Sequence, residues 1–300
     1  MKIKTVLGTV EADSLGITLP HEHITCYSEF VYWMAGERYL DKKYLAEFAA
    51  RHLREMKARY GLNTFIDCTP LNIGRDLNLL KRTAELSEMN ILSSTGLYYT
   101  RDPLFNRTSP MQIGRYLTLD IEKNGAAIIK CAVEEADCAP FDDKVLRGCA
   151  IANKETGTPI VLHTNARREN ARWAMEILLS EGVAPEAITI GHLSDAEDMD
   201  YLLEMASYGS YIGLDRIYDN PSPEYIQQKL NTVELLVKNG YEDKILLSHD
   251  EQFFSGFADV PDYNENHRFA FCFQHISPAL SPELSRKIFI DNPTNMLMCR

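Results

Sequence analysis

Two kinds of hydrophobic pattern alternate along this chain. Short runs of consecutive apolar residues are typical of buried strands, whereas apolar residues that recur every three to four positions are typical of amphipathic helices. The first pattern predicts strands at residues 17–20, 64–68, 91–95, 127–132, 159–162, 188–191, 211–215 and 245–249. The second predicts helices at residues 44–56, 77–89, 144–154, 171–179, 198–206 and 223–239.

This alternation predicts the fold class. Strands that alternate with helices indicate parallel strands joined by right-handed crossovers. Eight such strands in 300 residues predict an α/β protein with a (β/α)8 TIM barrel, formed by residues 1–300 as a single domain. An open doubly wound sheet is the alternative. Residues 4–10 predict a short N-terminal β-hairpin at the barrel floor, and residues 250–279 predict a long loop, a common position for a lid.

Composition and charge narrow the possible partners. The net charge of -12 argues against nucleic acids and membrane surfaces, which attract basic proteins. No apolar stretch approaches the roughly 20 residues that span a bilayer, and no apolar segment follows the basic N-terminus as in a signal peptide. Seven cysteines without a CxxC pair predict buried thiols in a reducing cytosol. We therefore expect a cytoplasmic protein that acts on a small-molecule substrate.

Side chains that can bind metal ions, together with one lysine, end several of the predicted strands. They are His21, His23, Lys130, His163, His192 and Asp250. Imidazoles and carboxylates are the usual ligands of zinc and related divalent ions. Barrel enzymes place their reactive groups at the carboxyl ends of the strands. The pattern therefore predicts a metal-dependent hydrolase.

The sequence His21-Glu22-His23 illustrates the argument and its alternative. Side chains two positions apart on a strand share a face, so both imidazoles can reach one ion while Glu22 points outward. Two histidines spaced in this way often occur by chance, and any one of the histidines could instead be a buried residue bonded to a backbone carbonyl. Asp250 could bind an ion and accept a proton, and His249 is expected to pack against a helix on the opposite face.

Lys130 is the unusual member of this set. A protonated lysine, with an ordinary pKa near ~10.4, would repel cations from the site. A neutral lysine can react with carbon dioxide to give a carbamate, whose two oxygens can bridge two metal ions. The alternative is a lysine ion-paired to Asp250 or Glu134 in a barrel without metal.

At these residues the chain resembles the phosphotriesterase family of the amidohydrolase superfamily, over nearly its whole length. The order and spacing of seven short motifs carry the resemblance. They are Leu19-Pro-His-Glu-His23, Ile128-Ile-Lys130, His163-Thr164, Gly191-His-Leu-Ser-Asp195, Ile212-Gly-Leu-Asp-Arg216, Leu247-Ser-His-Asp250 and Asp291-Asn-Pro293. The family has a (β/α)8 barrel with two metal ions, and its members include phosphotriesterases, lactonases and enzymes that act on phosphorylated sugar lactones.

The resemblance implies how the metal ligands divide between two divalent ions. One ion would be held by His21, His23 and Asp250. The second would be held by His163 and His192, and Lys130, N-carboxylated by carbon dioxide, would bridge the two. Zinc is common in the family, although these ligands also suit manganese, cobalt or iron. The family also implies a homodimer, and the apolar loop at residues 30–34 could be its interface or a wall of the pocket.

Two further residues resemble the lactonase branch of the family. Tyr98 and Arg216 occupy positions where the branch that hydrolyses paraoxon carries tryptophan and histidine. Arginine is almost always protonated and is a poor proton relay, so Arg216 is expected to orient Asp195 or Asp250, or to bind substrate. Packing at the barrel mouth is the alternative for Tyr98. Asp195 is also a candidate acceptor for a ring proton of a metal-bound histidine.

The resemblance and the residues together predict hydrolysis of a lactone or related carboxylic ester, with a phosphorylated sugar lactone among the candidates. Water activated between two ions would attack the carbonyl, and Asp250 would take its proton. A phosphotriesterase is one alternative, and a catalytically silent barrel used as a binding protein is another. Two arginines at residues 167 and 168 could meet an anionic substrate or lie at a solvated helix start. The final loop, with Tyr263, His267 and Arg268, matches no branch of the family.

Overall fold

A computed structural model describes residues 1–100, 105–256, 262–263 and 268–299 of the chain. Twelve strands and ten α-helices lie in this described part. The strands are β1 (Lys2–Thr5), β2 (Gly8–Glu11), β3 (Ile17–Cys26), β4 (Leu62–Asp67), β5 (Asn90–Leu97), β6 (Ile128–Ala132), β7 (Ile160–His163), β8 (Ile188–Ile190), β9 (Tyr211–Leu214), β10 (Ile245–Leu247), β11 (Gln252–Ser255) and β12 (Asp262–Tyr263). The helices are α1 (Glu29–Ala35), α2 (Lys42–Tyr60), α3 (Leu77–Ser87), α4 (Pro110–Asn124), α5 (Pro140–Thr156), α6 (Ala171–Ser180), α7 (Met199–Ser207), α8 (Pro223–Lys238), α9 (Pro282–Arg286) and α10 (Asn292–Met298).

The strands from β3 to β10 form a parallel sheet in which each strand pairs with the next one along the chain. The sheet closes at the segment 248–251. There the N–H of Ser248 donates to the carbonyl of Leu214 on β9 over 3.3 Å, and the N–H of Asp250 donates to the carbonyl of His21 on β3 over 3.2 Å. The chain then continues as β11, which pairs in parallel with β3. The predicted (β/α)8 barrel is thus confirmed, and the open sheet is excluded.

Alternation along the strands fills the barrel interior and aims the polar residues. Ile128 on β6 and Val161 on β7 belong to an apolar cluster inside the barrel. Ile129 and Leu162, one position later, belong to the outer cluster between strands and helices. The next residue on each strand, Lys130 or His163, therefore points into the barrel again. Its side chain lies directly above the apolar cluster inside the barrel.

The N-terminal hairpin is also confirmed. Strands β1 and β2 pair in antiparallel fashion, and the N–H of Val6 between them donates to the carbonyl of Ile91 at the start of β5. The hairpin therefore contacts the barrel at the amino ends of the strands. No helix in the described part of the chain is long and apolar enough to cross a membrane.

Four of the observed helices, α1, α4, α9 and α10, were not expected from the sequence pattern, and α4 and α1 show why. Helix α4 buries Ile113, Leu117 and Ile121 at a spacing of four residues, but exposed Met111 and Leu119 obscure that periodicity. Residues 30–34, interpreted as a loop, belong to the short helix α1, in which no residue is buried. A pattern read from apolar positions misses both helices because exposed apolar residues carry the same signal as buried ones.

The prediction of one long loop at residues 250–279 is wrong in its first part. Residues 252–255 form β11, which completes the barrel and pairs with β12 on its other edge. Asp250 interrupts the strand because its backbone has a left-handed φ of 56°. Cys272–Ile276 form a π-helix, and His267 lies outside the described residues.

Candidate metal centre

Six of the residues that the sequence singled out converge at the carboxyl ends of the barrel strands. Their side chains come from β3, β6, β7, the turn after β8 and the segment that closes the barrel. The nitrogen and oxygen atoms that face one another include Lys130 Nζ and His21 Nε2 at 2.5 Å, His23 Nε2 and Asp250 Oδ1 at 3.1 Å, and His192 Nε2 and His163 Nδ1 at 2.6 Å. The four imidazoles and Lys130 are all at most 5% exposed.

One group of these atoms has the composition of a divalent metal site. His21, His23 and Asp250 each offer one ligand atom, and these atoms lie within 4.8 Å of one another. Asp250 Oδ1 is 3.4 Å from His21 Nε2, so the carboxylate faces both imidazoles. Two nitrogens and one carboxylate oxygen suit zinc and leave positions open for other ligands.

Lys130 is buried without a carboxylate partner. It is 1% exposed, and no ion pair within 4.0 Å joins its Nζ to an acid in the described part of the chain. Asp250 instead contacts histidines, and Glu134 lies 3.4 Å from His163 Nε2. The alternative of a lysine paired to either acid therefore has no support in the described structure. Burying a charged side chain without an ionic partner costs free energy, and this environment distinguishes Lys130 from a lysine held in an ion pair.

The backbone beside Lys130 is shaped for this close approach. Gly96 on β5 is paired in register with Lys130 and has a φ of 106°. A Cβ atom at Gly96 would lie 1.8 Å from the carbonyl oxygen of Lys130. Only glycine permits both this conformation and this contact, so Gly96 lets β5 lie directly against the backbone of Lys130.

Every histidine of the group has a hydrogen-bond acceptor on its other ring nitrogen. His21 Nδ1 and His192 Nδ1 both donate to the carboxylate of Asp215, the latter over 2.9 Å. His23 Nδ1 donates to Thr69 Oγ1 over 2.8 Å, and His163 Nε2 is directed at Glu134. Such acceptors fix the tautomer so that the lone pair of the remaining nitrogen faces the centre.

Asp215, rather than Asp195, is the acceptor shared by two of the histidines. Asp195 Oδ2 accepts from Arg216 Nη1 over 3.1 Å, which corrects the expectation that Asp195 serves a histidine. The signal for Asp215 was present, because it too is an acid directly after an apolar run, in the motif that ends at Arg216. A second possible metal group consists of His21, His192 and Asp215. Asp215 in this group is 1% exposed and lies below the pocket, and its carboxylate already accepts hydrogen bonds from both histidines.

The protonation states of His21, His163 and Asp250 match what metal binding requires. Burial is the main cause that lowers the pKa of His21 to about 4. Burial also lowers the pKa of His163 well below its usual value, so both imidazoles are neutral at pH 7. Burial opposes ionisation of Asp250, but the surrounding histidines hold its pKa well below the ordinary range. His23 differs, because contacts with Cys26 and Asp250 raise its pKa despite burial.

A pocket of about 290 Å³ opens above these residues. His23, Lys130, His163 and Asp250 lie at its base. The remaining lining residues are Cys26, Pro70, Ile73, Tyr98, Tyr99, Thr100 and Gln252. Among the described residues, the wall beyond the metal-binding set is therefore uncharged and partly aromatic, and no residue of helix α1 lines it.

Tyr98 and Arg216 lie beside the pocket in different roles. The Tyr98 ring meets that of His163 edge to face, with centroids 5.1 Å apart, and burial raises the pKa of its hydroxyl. Arg216 Nε donates to Asp250 Oδ2 over 3.1 Å, and its Nη1 donates to Asp195. Arg216 thus orients Asp250 so that Oδ1 faces the histidines.

The two arginines after β7 lie in an ordinary solvated turn. Arg167 pairs with Glu197 and Arg168 pairs with Glu135, and both side chains are largely exposed. None of these residues lines the pocket described above. The interpretation of this turn as a solvated helix start therefore fits the structure better than a site for an anionic substrate.

Comparison with known proteins agrees with this arrangement. The sequence model of the Phosphotriesterase family matches residues 1–297. The chain belongs to the phosphotriesterase family. An aryldialkylphosphatase of Saccharolobus solfataricus is 34% identical over 251 aligned positions, which cover 81% of this chain and 79% of that protein. The phosphotriesterase homology protein of Mycobacterium tuberculosis is 32% identical over 316 positions, with 97% and 96% covered.

More distant members of the phosphotriesterase family have a different named activity. The N-acetyltaurine hydrolase of Xenopus tropicalis is 25% identical over 348 positions, with 99% of this chain and 97% of that protein covered. The names of these relatives describe hydrolases that act on different bonds. Membership confirms the predicted family and the prediction of a hydrolase. It does not specify which substrate this chain hydrolyses.

Replacing Asp215 with asparagine is expected to weaken metal binding about 10–100-fold, because His21 and His192 donate hydrogen bonds to different carboxylate oxygens and an amide has only one acceptor oxygen. The dissociation constant of zinc, measured by competition with a chromophoric chelator, tests this. Asp120→Asn is the control, since Asp120 is a carboxylate, 12% exposed, that bonds Arg75 and does not line the pocket. Equal zinc affinity in Asp215→Asn and wild type would contradict the role of Asp215.

Proposed function

We propose that this chain is a binuclear metal-dependent hydrolase that opens a lactone or hydrolyses a related carboxylic ester. The observation that supports it most is the orientation of the four imidazoles. Each has one nitrogen directed at the shared centre and the other directed at an acceptor. A structural cluster of histidines has no need of this division, whereas metal-binding histidines regularly show it.

The residues present fit two ions. His21, His23 and Asp250 would hold one, and His163 and His192 would hold the other. Lys130 contacts His21 of the first set and lines the same pocket as His163 of the second, and as a carbamate it would offer one oxygen to each ion. Bound ions of this kind polarise a carbonyl group and lower the pKa of a coordinated water.

The chain's own side chains would supply the proton transfers and the orientation. Asp250 Oδ1 faces the centre and accepts the proton of the attacking water, while Arg216 holds the other carboxylate oxygen. The hydroxyl of Tyr98 stays protonated and can donate to an oxygen of the substrate. The Asp250 carboxylic acid then returns its proton to the leaving alkoxide.

The pocket wall supports an uncharged substrate. Its described residues beyond the metal-binding set carry no charge, and Arg216, which donates to the pocket residue Asp250, is engaged by two carboxylates. A phosphorylated sugar lactone would place its phosphate against these described residues without a cationic partner among them, at a large cost in desolvation. N-acetyltaurine would do the same with its sulfonate. A neutral lactone with an apolar substituent fits the wall best.

A phosphotriesterase activity is the second candidate. A neutral phosphotriester also suits an uncharged wall, and a relative of 34% identity is named an aryldialkylphosphatase. The residues Tyr98 and Arg216, which resemble the lactonase branch, favour the lactone. A silent barrel used as a binding protein would need none of the acceptors behind the histidines.

A substrate panel tests this choice. We expect kcat/KM for neutral lactones with alkyl substituents to exceed that for a phosphotriester by about a hundredfold or more. Both substrates fit an uncharged pocket, so the difference is expected from how well the site stabilises the transition state of each reaction. Phosphorylated sugar lactones and N-acetyltaurine are expected to be poor substrates. A phosphotriester preferred over every lactone would overturn the substrate assignment and leave the metal centre unaffected.

We also propose that the protein is a homodimer that covers helix α1. Phe30, Trp33 and Met34 on this helix are 68%, 81% and 60% exposed, and such clusters usually mark interaction surfaces. Trp33→Arg is expected to give a monomer in size-exclusion chromatography with light scattering. Leu7→Arg, at an equally apolar exposed position on the barrel floor, is expected to leave the dimer intact. A wild-type monomer, or a dimeric Trp33→Arg protein, would contradict this proposal.

A further inference from the structure

Glu22 lies between two metal-binding histidines but faces away from them. It is 0% exposed and points out of the barrel, as the alternation along β3 predicts. Its Oε1 accepts from the backbone N–H of His249 over 2.9 Å and from the ring Nδ1–H of the same residue over 2.6 Å. Its Oε2 accepts from the backbone N–H of Glu251 over 3.1 Å.

These bonds surround Asp250. Both of its sequence neighbours donate a backbone N–H to the same carboxylate, and its own N–H donates to the carbonyl of His21. The backbone of Asp250 has a φ of 56°, which is unfavourable for a residue with a side chain. Strain of this kind persists only when surrounding bonds enforce it, and here the Glu22 carboxylate supplies two of them.

His249 holds the carboxylate from the other side. Its ring is 0% exposed, and its Nε2 accepts from the backbone N–H of Cys272 over 3.2 Å. Nε2 therefore has the free lone pair of the ring, and Nδ1 has the hydrogen that is donated in the hydrogen bond to Glu22. This corrects the simpler view that His249 only packs against a helix. The residue connects Glu22 to the π-helix that begins at Cys272.

We propose that Glu22 is a positioning residue that sets the metal site by fixing the backbone of Asp250. Strand β3 then supplies two ligands on its inner face, His21 and His23, and fixes the third from its outer face. Glu22 contacts neither the pocket nor any ligand atom, so it acts only through Asp250. This inference rests on the proposed function, because it concerns the ion that Asp250 would bind.

The test is metal stoichiometry in Glu22→Gln, measured by elemental analysis after reconstitution with zinc and dialysis. The amide keeps the shape of the side chain but turns an NH2 group toward an N–H that needs an acceptor. We expect wild type to retain two ions per chain and Glu22→Gln to retain about one. Affinity for the ion at Asp250 should fall about 10–100-fold.

Two further variants separate positioning from general damage. Asp120→Asn alters a mostly buried carboxylate whose partner is Arg75, and it should keep two ions even if its melting temperature falls. Glu22→Asp retains the charge but shortens the side chain, so it should also lose the ion at Asp250. It replaces Glu22→Gln as the test if the Gln variant does not fold.

The outcomes are distinct. Two tightly held ions in the Glu22 variants would overturn the positioning role, as would equal loss of metal in Asp120→Asn. Wild-type protein that binds no ions would instead overturn the proposed function itself. Loss confined to the Glu22 variants supports the inference without any measurement of activity.

Discussion

Asp250→Asn is expected to lower kcat/KM for the best lactone about 10³-fold while the protein remains folded. Asp250 Oδ1 lies 3.1 Å from His23 Nε2 and 3.4 Å from His21 Nε2, where it would bind an ion and take a proton from water. An amide oxygen is a weaker ligand and cannot accept that proton. Arg216 would also lose the carboxylate that its Nε contacts.

Steady-state kinetics at saturating zinc tests this expectation, with the melting temperature as the measure of folding. Asp120→Asn, changed in the same way outside the pocket, should retain wild-type kcat/KM. Near-normal turnover in Asp250→Asn would remove Asp250 from the mechanism. Lost turnover that recovers fully at high zinc would leave Asp250 a ligand and no longer a proton acceptor.

Lys130→Ala is expected to lose bound metal and at least about 100-fold in kcat/KM, and to recover part of both when a short carboxylic acid is added. Lys130 is 1% exposed and its Nζ lies 2.5 Å from His21 Nε2. Removing the side chain opens a space between the two histidine sets. Acetate or propionate in that space can present the two oxygens that the carbamate would provide.

Metal content and activity measured across a series of carboxylic acids test this prediction. Lys229→Ala is the control, since Lys229 is also buried but its Nζ donates to the carbonyl of Ser194 and the residue does not line the pocket. That variant should keep its metal and ignore added acids. Lys130→Ala protein with full activity and no response to acetate would show that Lys130 does not bridge the centre.

Much of the fold could be predicted because it depends on local pattern. Seven of the eight strands were located to within about two residues at each end, since each is a short apolar run ended by a turn or a polar residue. The other, β3, begins where predicted but continues to Cys26, because its second half contains polar residues. The residues of the centre were found for the same reason, because parallel strands bring their carboxyl ends together wherever the helices lie. His163 and Lys130 each follow an inward-facing apolar residue by two positions, so the alternation along the strand is enough to place their side chains inside the barrel.

The features that were missed depend on partners far apart in sequence. Asp215 bonds His21 across 194 positions, and Glu22 bonds His249 across 227. Neither pairing leaves a local trace, although Asp215 ends its strand as the predicted residues do. Strand β11 was missed because the left-handed backbone of Asp250 divides the last strand, and nothing in the residue type announces that conformation.

The most direct test of the account is a crystal structure of the zinc-reconstituted protein with diffraction measured at the zinc absorption edge. The account predicts two anomalous peaks ~3.5–4 Å apart. One should contact His21, His23 and Asp250, the other should contact His163 and His192, and density continuous with Lys130 Nζ should reach both. A single peak, or an unmodified Lys130 with no ion beside it, would contradict the binuclear centre on which the proposed function rests.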